Sequence, residues 1–254
     1  MERASSGRAR GIAWAVHLYT ALGLVLAAGA TVLVLRGTDA AFRAAFGLLL
    51  LATLVDATDG WLARRARVAE VLPGFDGRRL DDIVDFHTYT SIPLLLIWRA
   101  GLLPAGWGWI LVLPLLASAF GFSRREAKTA DGFFLGFPSY WNVVAFYLYF
   151  LRPSPVLSAA VLVALAGLTL LPWRYLNLAA PGRRYGPLLA LAALWALLII
   201  AVLAGTAGRA WVLVSLVFPA AYMWVSWAVG GGRATGGRAS HSGARSGQPG
   251  RRDR

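Results

Sequence analysis

The sequence predicts an all-α membrane protein, a polytopic bundle of about eight transmembrane helices with both termini cytoplasmic, and three observations predict it. Hydrophobic residues make up 58% of the 254-residue chain and charged residues only 15%, and its mean hydropathy is +0.60. Few soluble domains have that balance. Apolar runs recur along the whole chain, and helices suit hydrocarbon because each backbone N–H and C=O finds its partner inside the segment. The basic residues, finally, concentrate in alternate connections between those runs.

The runs are read in order as 11–35, 44–64, 81–103, 107–126, 138–151, 154–173, 187–207 and 210–229. The first is too long for a signal-peptide core and lacks a small-residue cleavage site, so it reads as an uncleaved anchor. The fifth is short and opens on Pro138, where a missing N–H is harmless to a helix. No connection is long enough for a separate soluble domain. Three regions result: a basic cytoplasmic N-terminus over 1–10, an integral membrane domain over 11–229, and a polar, basic cytoplasmic tail over 230–254 that is expected to be disordered.

With the N-terminus inside, the inside segments hold Arg3, Arg8, Arg10, Arg64, Arg65, Arg67, Arg78, Arg79, Arg124, Arg125, Lys128, Arg174, Arg183, Arg184 and the tail arginines. The outside connections keep Arg36, Arg43, Arg99, Arg152 and Arg209. This asymmetry sets the orientation. It also accounts for the net charge of +13 without a nucleic-acid partner, since the cations are spread over every inside loop. With no cysteine, the chain has neither disulfides nor thiol chemistry.

Seven acidic residues of the chain's twelve fall between Asp56 and Asp85. Ionised groups beside hydrocarbon are costly and mark functional sites. On a helix, Asp56, Asp59, Gly60 and Ala63 share a face about 100° wide with Arg64 at its edge, and Asp81 and Asp85 share a face of the following helix. Two helices ending on the same side bring these four carboxylates together. Their mutual repulsion is relieved by divalent cations, and all-oxygen ligation suits Mg²⁺ or Mn²⁺, ions that commonly also hold substrate phosphates. Gly60 and Ala63 keep that face free of bulk, and Arg64 can pair with a phosphate oxygen. The competing reading is that small residues only let helices pack closely.

The fixed positions Asp56, Asp59, Gly60, Ala63, Arg64, Gly77, Asp81 and Asp85 resemble the signature of the CDP-alcohol phosphotransferase family, Asp-x2-Asp-Gly-x2-Ala-Arg, a spacer, then Gly-x3-Asp-x3-Asp. The spacer here holds twelve residues where most of the family has about eight, and an eight-residue spacer would end on Pro73 rather than a glycine. That longer spacer, with the stretches A-R-R-A-R-V-A-E-V-L-P-G-F-D-G and K-T-A-D-G-F-F-L-G-F-P-S-Y-W-N, is similar to the bacterial phosphatidylcholine synthase branch. The resemblance covers most of the chain apart from its ends. It implies a helical membrane catalytic domain over 11–229, commonly dimeric, in the bacterial inner membrane with its site on the cytoplasmic side. The implied reaction takes CDP-diacylglycerol and choline to phosphatidylcholine and CMP with Mn²⁺ or Mg²⁺. Asp56, Asp59, Asp81 and Asp85 would hold metal, Asp85 also acting as base, while Gly60, Ala63, Arg64 and Gly77 would accommodate the CDP moiety.

A quaternary ammonium is held by aromatic faces and a nearby anion, which points to Phe86, Tyr89, Tyr140 and Trp141, with Tyr147 further on. Interfacial belts also use such residues. His17 and His87 read as packed or interfacial, and Asp82 as a helix-terminal charge or an outer ligand. Other acceptors (serine, an inositol phosphate or glycerol phosphate) stay open, with Arg124, Arg125 and Lys128 near enough to meet a phosphorylated one. A remoter alternative is a membrane prenyltransferase, because Asp81-Asp82-x-x-Asp85 matches a D-D-x-x-D pattern but leaves Gly60, Ala63, Arg64 and Gly77 unused. An ion carrier would distribute its acids across the membrane rather than gather them at one face.

Overall fold

The computed structural model describes residues 2–124, 129, 131–178 and 185–230. The tail beyond Gly230, together with Arg125, Lys128, Arg183 and Arg184, lies outside the described residues.

Two long antiparallel helices, α1 (Glu2–Arg36) and α2 (Asp39–Arg65), open the chain and pack along each other. Their reversal is tight. Gly37 sits at φ +70°, a left-handed conformation in which an L side chain would be strained. Thr38 then caps α2 by accepting the Ala41 N–H at 3.2 Å. At the far end of α2 a short helix, α3 (Val68–Val71), leads to α4 (Gly77–Asp85). Asp76 caps α4 by accepting the N–H groups of Arg78 and Arg79 at 3.1 and 3.2 Å.

From α4 the chain passes through a π-helical stretch, Phe86–Ser91, into α5 (Ile92–Arg99). The third apolar run is therefore one segment with a widened middle turn, a feature that recurs at functional sites. The rest of the bundle comprises α6 (Val112–Phe122), α7 (Trp141–Leu151), α8 (Pro155–Leu170), α9 (Gly186–Leu203), α10 (Arg209–Ser215) and α11 (Val217–Gly230). Every apolar run of the sequence holds helix. Among the described residues, four helical segments are long and apolar enough to cross a membrane: Gly7–Arg36, Asp39–Arg65, Gly186–Leu203 and Arg209–Gly230. Gly108–Phe122, Trp141–Leu151 and Pro155–Leu170 are shorter.

The purely helical expectation needs one correction. β1 (Phe133–Leu135) and β2 (Arg174–Leu176) pair antiparallel, with Phe133 opposite Leu176 and Leu135 opposite Arg174. The ribbon joins the connection after α6 to the connection after α8, at the bundle end that carries the aspartates. Gly136, at φ +90°, lets it reach the end of α8: a Cβ there would lie 2.2 Å from the Thr169 carbonyl oxygen. The Gly136 N–H bonds the Trp173 carbonyl at 2.8 Å.

The core follows the middle of the bundle, with Val34, Leu96, Ile97, Trp141, Leu162 and Val202 fully buried. Outside it, large apolar side chains such as Leu18, Phe120 and Leu197 are exposed, as expected where hydrocarbon is the solvent. Exposed tryptophans lie toward both ends: Trp14, Trp61 and Trp224 at the aspartate end, and Trp98, Trp109 and Trp211 at the other. Such belts mark the two membrane–water interfaces.

Candidate active site

The last turns of α2 and the whole of α4 meet against α1. Asp56 on α2 and Asp81 and Asp85 on α4 are half-buried, and each offers a carboxylate oxygen within 4.8 Å of the others. Three like charges at that range repel, and a cation relieves the repulsion. The donor set is entirely oxygen, as hard divalent ions require. Position is fixed from two directions. The Tyr89 hydroxyl, in the widened turn after Asp85, donates to Asp56 Oδ2 at 2.7 Å. The Asp76 cap begins α4 where Asp81 and Asp85 turn toward α2.

Asp59 stands apart from the trio. It is buried, and its Oδ2 accepts the Thr20 hydroxyl of α1 at 2.7 Å. The remaining acids of the cluster divide. Asp76 is the α4 cap, Glu70 pairs with Arg67, and Asp82 faces the cavity beside the trio. Arg67 holds the Glu70 carboxyl below its usual range.

All eight signature positions line one cavity of about 1850 Å³. Gly60 is open there: an added Cβ would meet only the Arg64 guanidinium, at 3.3 Å. Gly77 is different, because the space beside it is taken by His17, whose Cε1 would lie 2.6 Å from an added Cβ. His17 is buried against Phe75, ring centroids 4.3 Å apart, and it too lines the cavity.

Of the aromatic residues singled out in the sequence, Tyr89 and Tyr140 line the cavity, whereas Phe86 and Trp141 do not. Phe86 packs on Phe122 at 5.8 Å. Trp141 is fully buried and donates its indole N–H to Ser118 Oγ at 2.7 Å. Tyr147 bonds Ser215 and Trp195 inside the bundle. The ribbon and its flanks supply a further wall, including Asp131, Phe134 and Gly136, from the stretch whose resemblance the sequence showed without giving its residues a role. Bonds from the Thr129 hydroxyl and the Arg174 guanidinium hold the Asp131 carboxyl below its usual range. His17 and Thr20 carried a faint signal, two polar residues three apart on one face of the first apolar run.

An apolar helical bundle whose cavity ends on three converging carboxylates has the makings of a membrane protein with a site for a divalent cation. The chain matches no family model. It is 42% identical over 166 residues to the phosphatidylcholine synthase of Pseudomonas aeruginosa, covering 65% of this chain and 68% of that protein. It is 33% identical over 220 residues to that of Rhizobium johnstonii, covering 85% and 89%, and 33% identical over 216 residues to that of Rhizobium meliloti, covering 84% and 88%. The chain belongs to the bacterial phosphatidylcholine synthase family.

Proposed function

We propose that this enzyme transfers the phosphatidyl group of CDP-diacylglycerol to choline, giving phosphatidylcholine and CMP, on the cytoplasmic side of the bacterial inner membrane. The observation that carries the reading is the convergence of Asp56, Asp81 and Asp85 inside a cavity lined by every signature position, in a chain with these relatives. Asp56, Asp81 and Asp85 would hold Mn²⁺ or Mg²⁺, with the buried Asp59 on the cavity wall nearby. A cation held there would supply charge neutralisation for the diphosphate and for departing CMP.

The chain's own groups do the rest. The open backbone at Gly60 and the small Ala63 admit the nucleotide, Gly77 lets α4 pack close to His17 at its edge, and Arg64 pairs with a phosphate oxygen. Asp85 takes the proton of the choline hydroxyl as its oxygen attacks the phosphatidyl phosphorus. The bond from that phosphorus to CMP breaks, and CMP leaves with the electron pair. General-base help of this kind contributes about 10²–10⁴-fold. Tyr89 keeps Asp56 in place throughout.

The test supplies purified enzyme with CDP-diacylglycerol, Mn²⁺ and labelled choline, serine, inositol phosphate or glycerol phosphate, and identifies the lipid product. Phosphatidylcholine is expected. Transfer to serine alone would reassign the acceptor, and no transfer to any alcohol would overturn the reading. Sidedness is tested separately, because the chain has no cysteine. A cysteine at Gly74 should label from the cytoplasmic side and one at Ala105 from the other; the reverse pattern would invert the topology.

A further inference from the structure

Tyr222, on α11, belongs to no motif, yet it stands on the wall of the cavity that holds the carboxylate trio. A line of tyrosine rings connects the two. Tyr89 donates to Asp56. The Tyr89 and Tyr140 rings have centroids 5.9 Å apart and are tilted by 48°. The Tyr140 and Tyr222 rings follow at 6.1 Å and 56°. All three residues line the cavity. Two bonds tie α11 to the ribbon, one of them from the last ring: the Tyr222 hydroxyl donates to the Leu176 carbonyl at 2.9 Å, and the Leu176 N–H donates to Ser226 Oγ at 3.1 Å. The ribbon therefore engages the hydroxyl, while the largely buried Tyr222 ring packs on Tyr140 and Phe218 at the cavity wall.

We propose that Tyr89, Tyr140 and Tyr222 form the seat for the quaternary ammonium group of the acceptor alcohol, with Tyr222 the residue that sets preference for a fully methylated head. The inference rests on the function proposed above and names the acceptor subsite of that cavity. A quaternary ammonium has no N–H to donate, so ring faces and a nearby negative charge must hold it. Choline carries its hydroxyl two carbons from its nitrogen, so its cation must bind within a few ångströms of the group that takes the hydroxyl proton. Tyr89 meets that requirement, one turn beyond Asp85 and bonded to Asp56. The tilted rings continue the surface toward α11, on the side where the ribbon anchors Tyr222.

The experiment measures KM for choline and for CDP-diacylglycerol, and inhibition by tetramethylammonium, in wild type, Tyr222→Leu and Tyr222→Phe. For Tyr222→Leu the choline KM and the tetramethylammonium inhibition constant should both rise about tenfold, while the KM for CDP-diacylglycerol stays within twofold. Tyr222→Phe, which keeps the ring, should recover most of that loss. Transfer to N,N-dimethylethanolamine should suffer less from Tyr222→Leu than transfer to choline. An unchanged choline KM with turnover reduced alike for all acceptors would make Tyr222 a packing residue and overturn the proposal. If Tyr222→Leu does not fold, Tyr140→Leu carries the same expectation and the same refutation. Failure of the underlying function looks different: the wild type itself would transfer nothing to choline and ignore tetramethylammonium.

Discussion

The two ends of the bundle use the same charged residues to opposite effect. At the end away from the site, every described ion pair or guanidinium contact closes a structural joint. Asp39 accepts from Arg43 Nε at 2.8 Å and from the Tyr149 hydroxyl. Arg43 also donates to the Val202 carbonyl at 3.0 Å, tying α2 to α9. Arg209 reaches the Leu151 carbonyl at 3.1 Å, and Arg152 lies over the Tyr149 ring. At the other end three carboxylates face one another, and Arg64 and Arg78 line the cavity around them. An acid that faces a base holds helices together. Acids that face acids offer a cation a site.

The sharpest way to break this contrast is to remove one carboxylate from each end. Asp85→Asn or Asp56→Asn should cost at least about 10³-fold in turnover, because charge neutralisation and proton removal both depend on the trio. Membrane insertion should be unaffected, and a near-normal rate in either variant would refute the site. Tyr89→Phe removes the hydroxyl that bonds Asp56. A hydrogen bond to a charged group is worth about 1.5–3 kcal/mol, so a loss of at least about tenfold in kcat is expected, checked by single-turnover rates at saturating Mn²⁺. At the opposite end, Asp39→Asn should lower stability by only about 0.5–1 kcal/mol, since the carboxylate is largely exposed. Its kcat/KM should be that of wild type; a rate loss approaching that of Asp85→Asn would erase the distinction between the ends.

The smallest effect concerns the ribbon. Asp131 has its folded pKa depressed by Thr129 and Arg174. The stability it contributes is therefore present above the ordinary carboxylate pKa of about 4 and is lost as pH falls through the lowered value. Wild type should unfold later than Asp131→Asn at neutral pH, with the gap closing under acid. A gap that stays constant across that range would show that the pair does not act through its charge.

The signature residues were legible in the sequence because their spacing lies within single helices, where a face follows from periodicity alone. So were the apolar runs. Features that depend on distant partners were not. The ribbon pairs residues 133–135 with 174–176, segments of three residues each with no local pattern to announce them. Gly77 reads as a space for substrate until α1 is docked, and then His17 fills the place beside it. Phe86 and Trp141 adjoin useful residues in sequence, but one step along a helix turns a side chain by about 100°, and both point into packing. Glu70 and Asp76 line the same cavity but stand outside the trio, engaged in a local ion pair and a helix cap.

The central claim is that Asp56, Asp81 and Asp85 hold a divalent cation, and Mn²⁺ binding followed by electron paramagnetic resonance on the purified enzyme tests it most directly. Wild type and Asp39→Asn should bind Mn²⁺ with the same affinity, and Mg²⁺ should compete. Asp81→Asn should bind at least about tenfold more weakly. Equal Mn²⁺ affinity in wild type and Asp81→Asn would contradict the account.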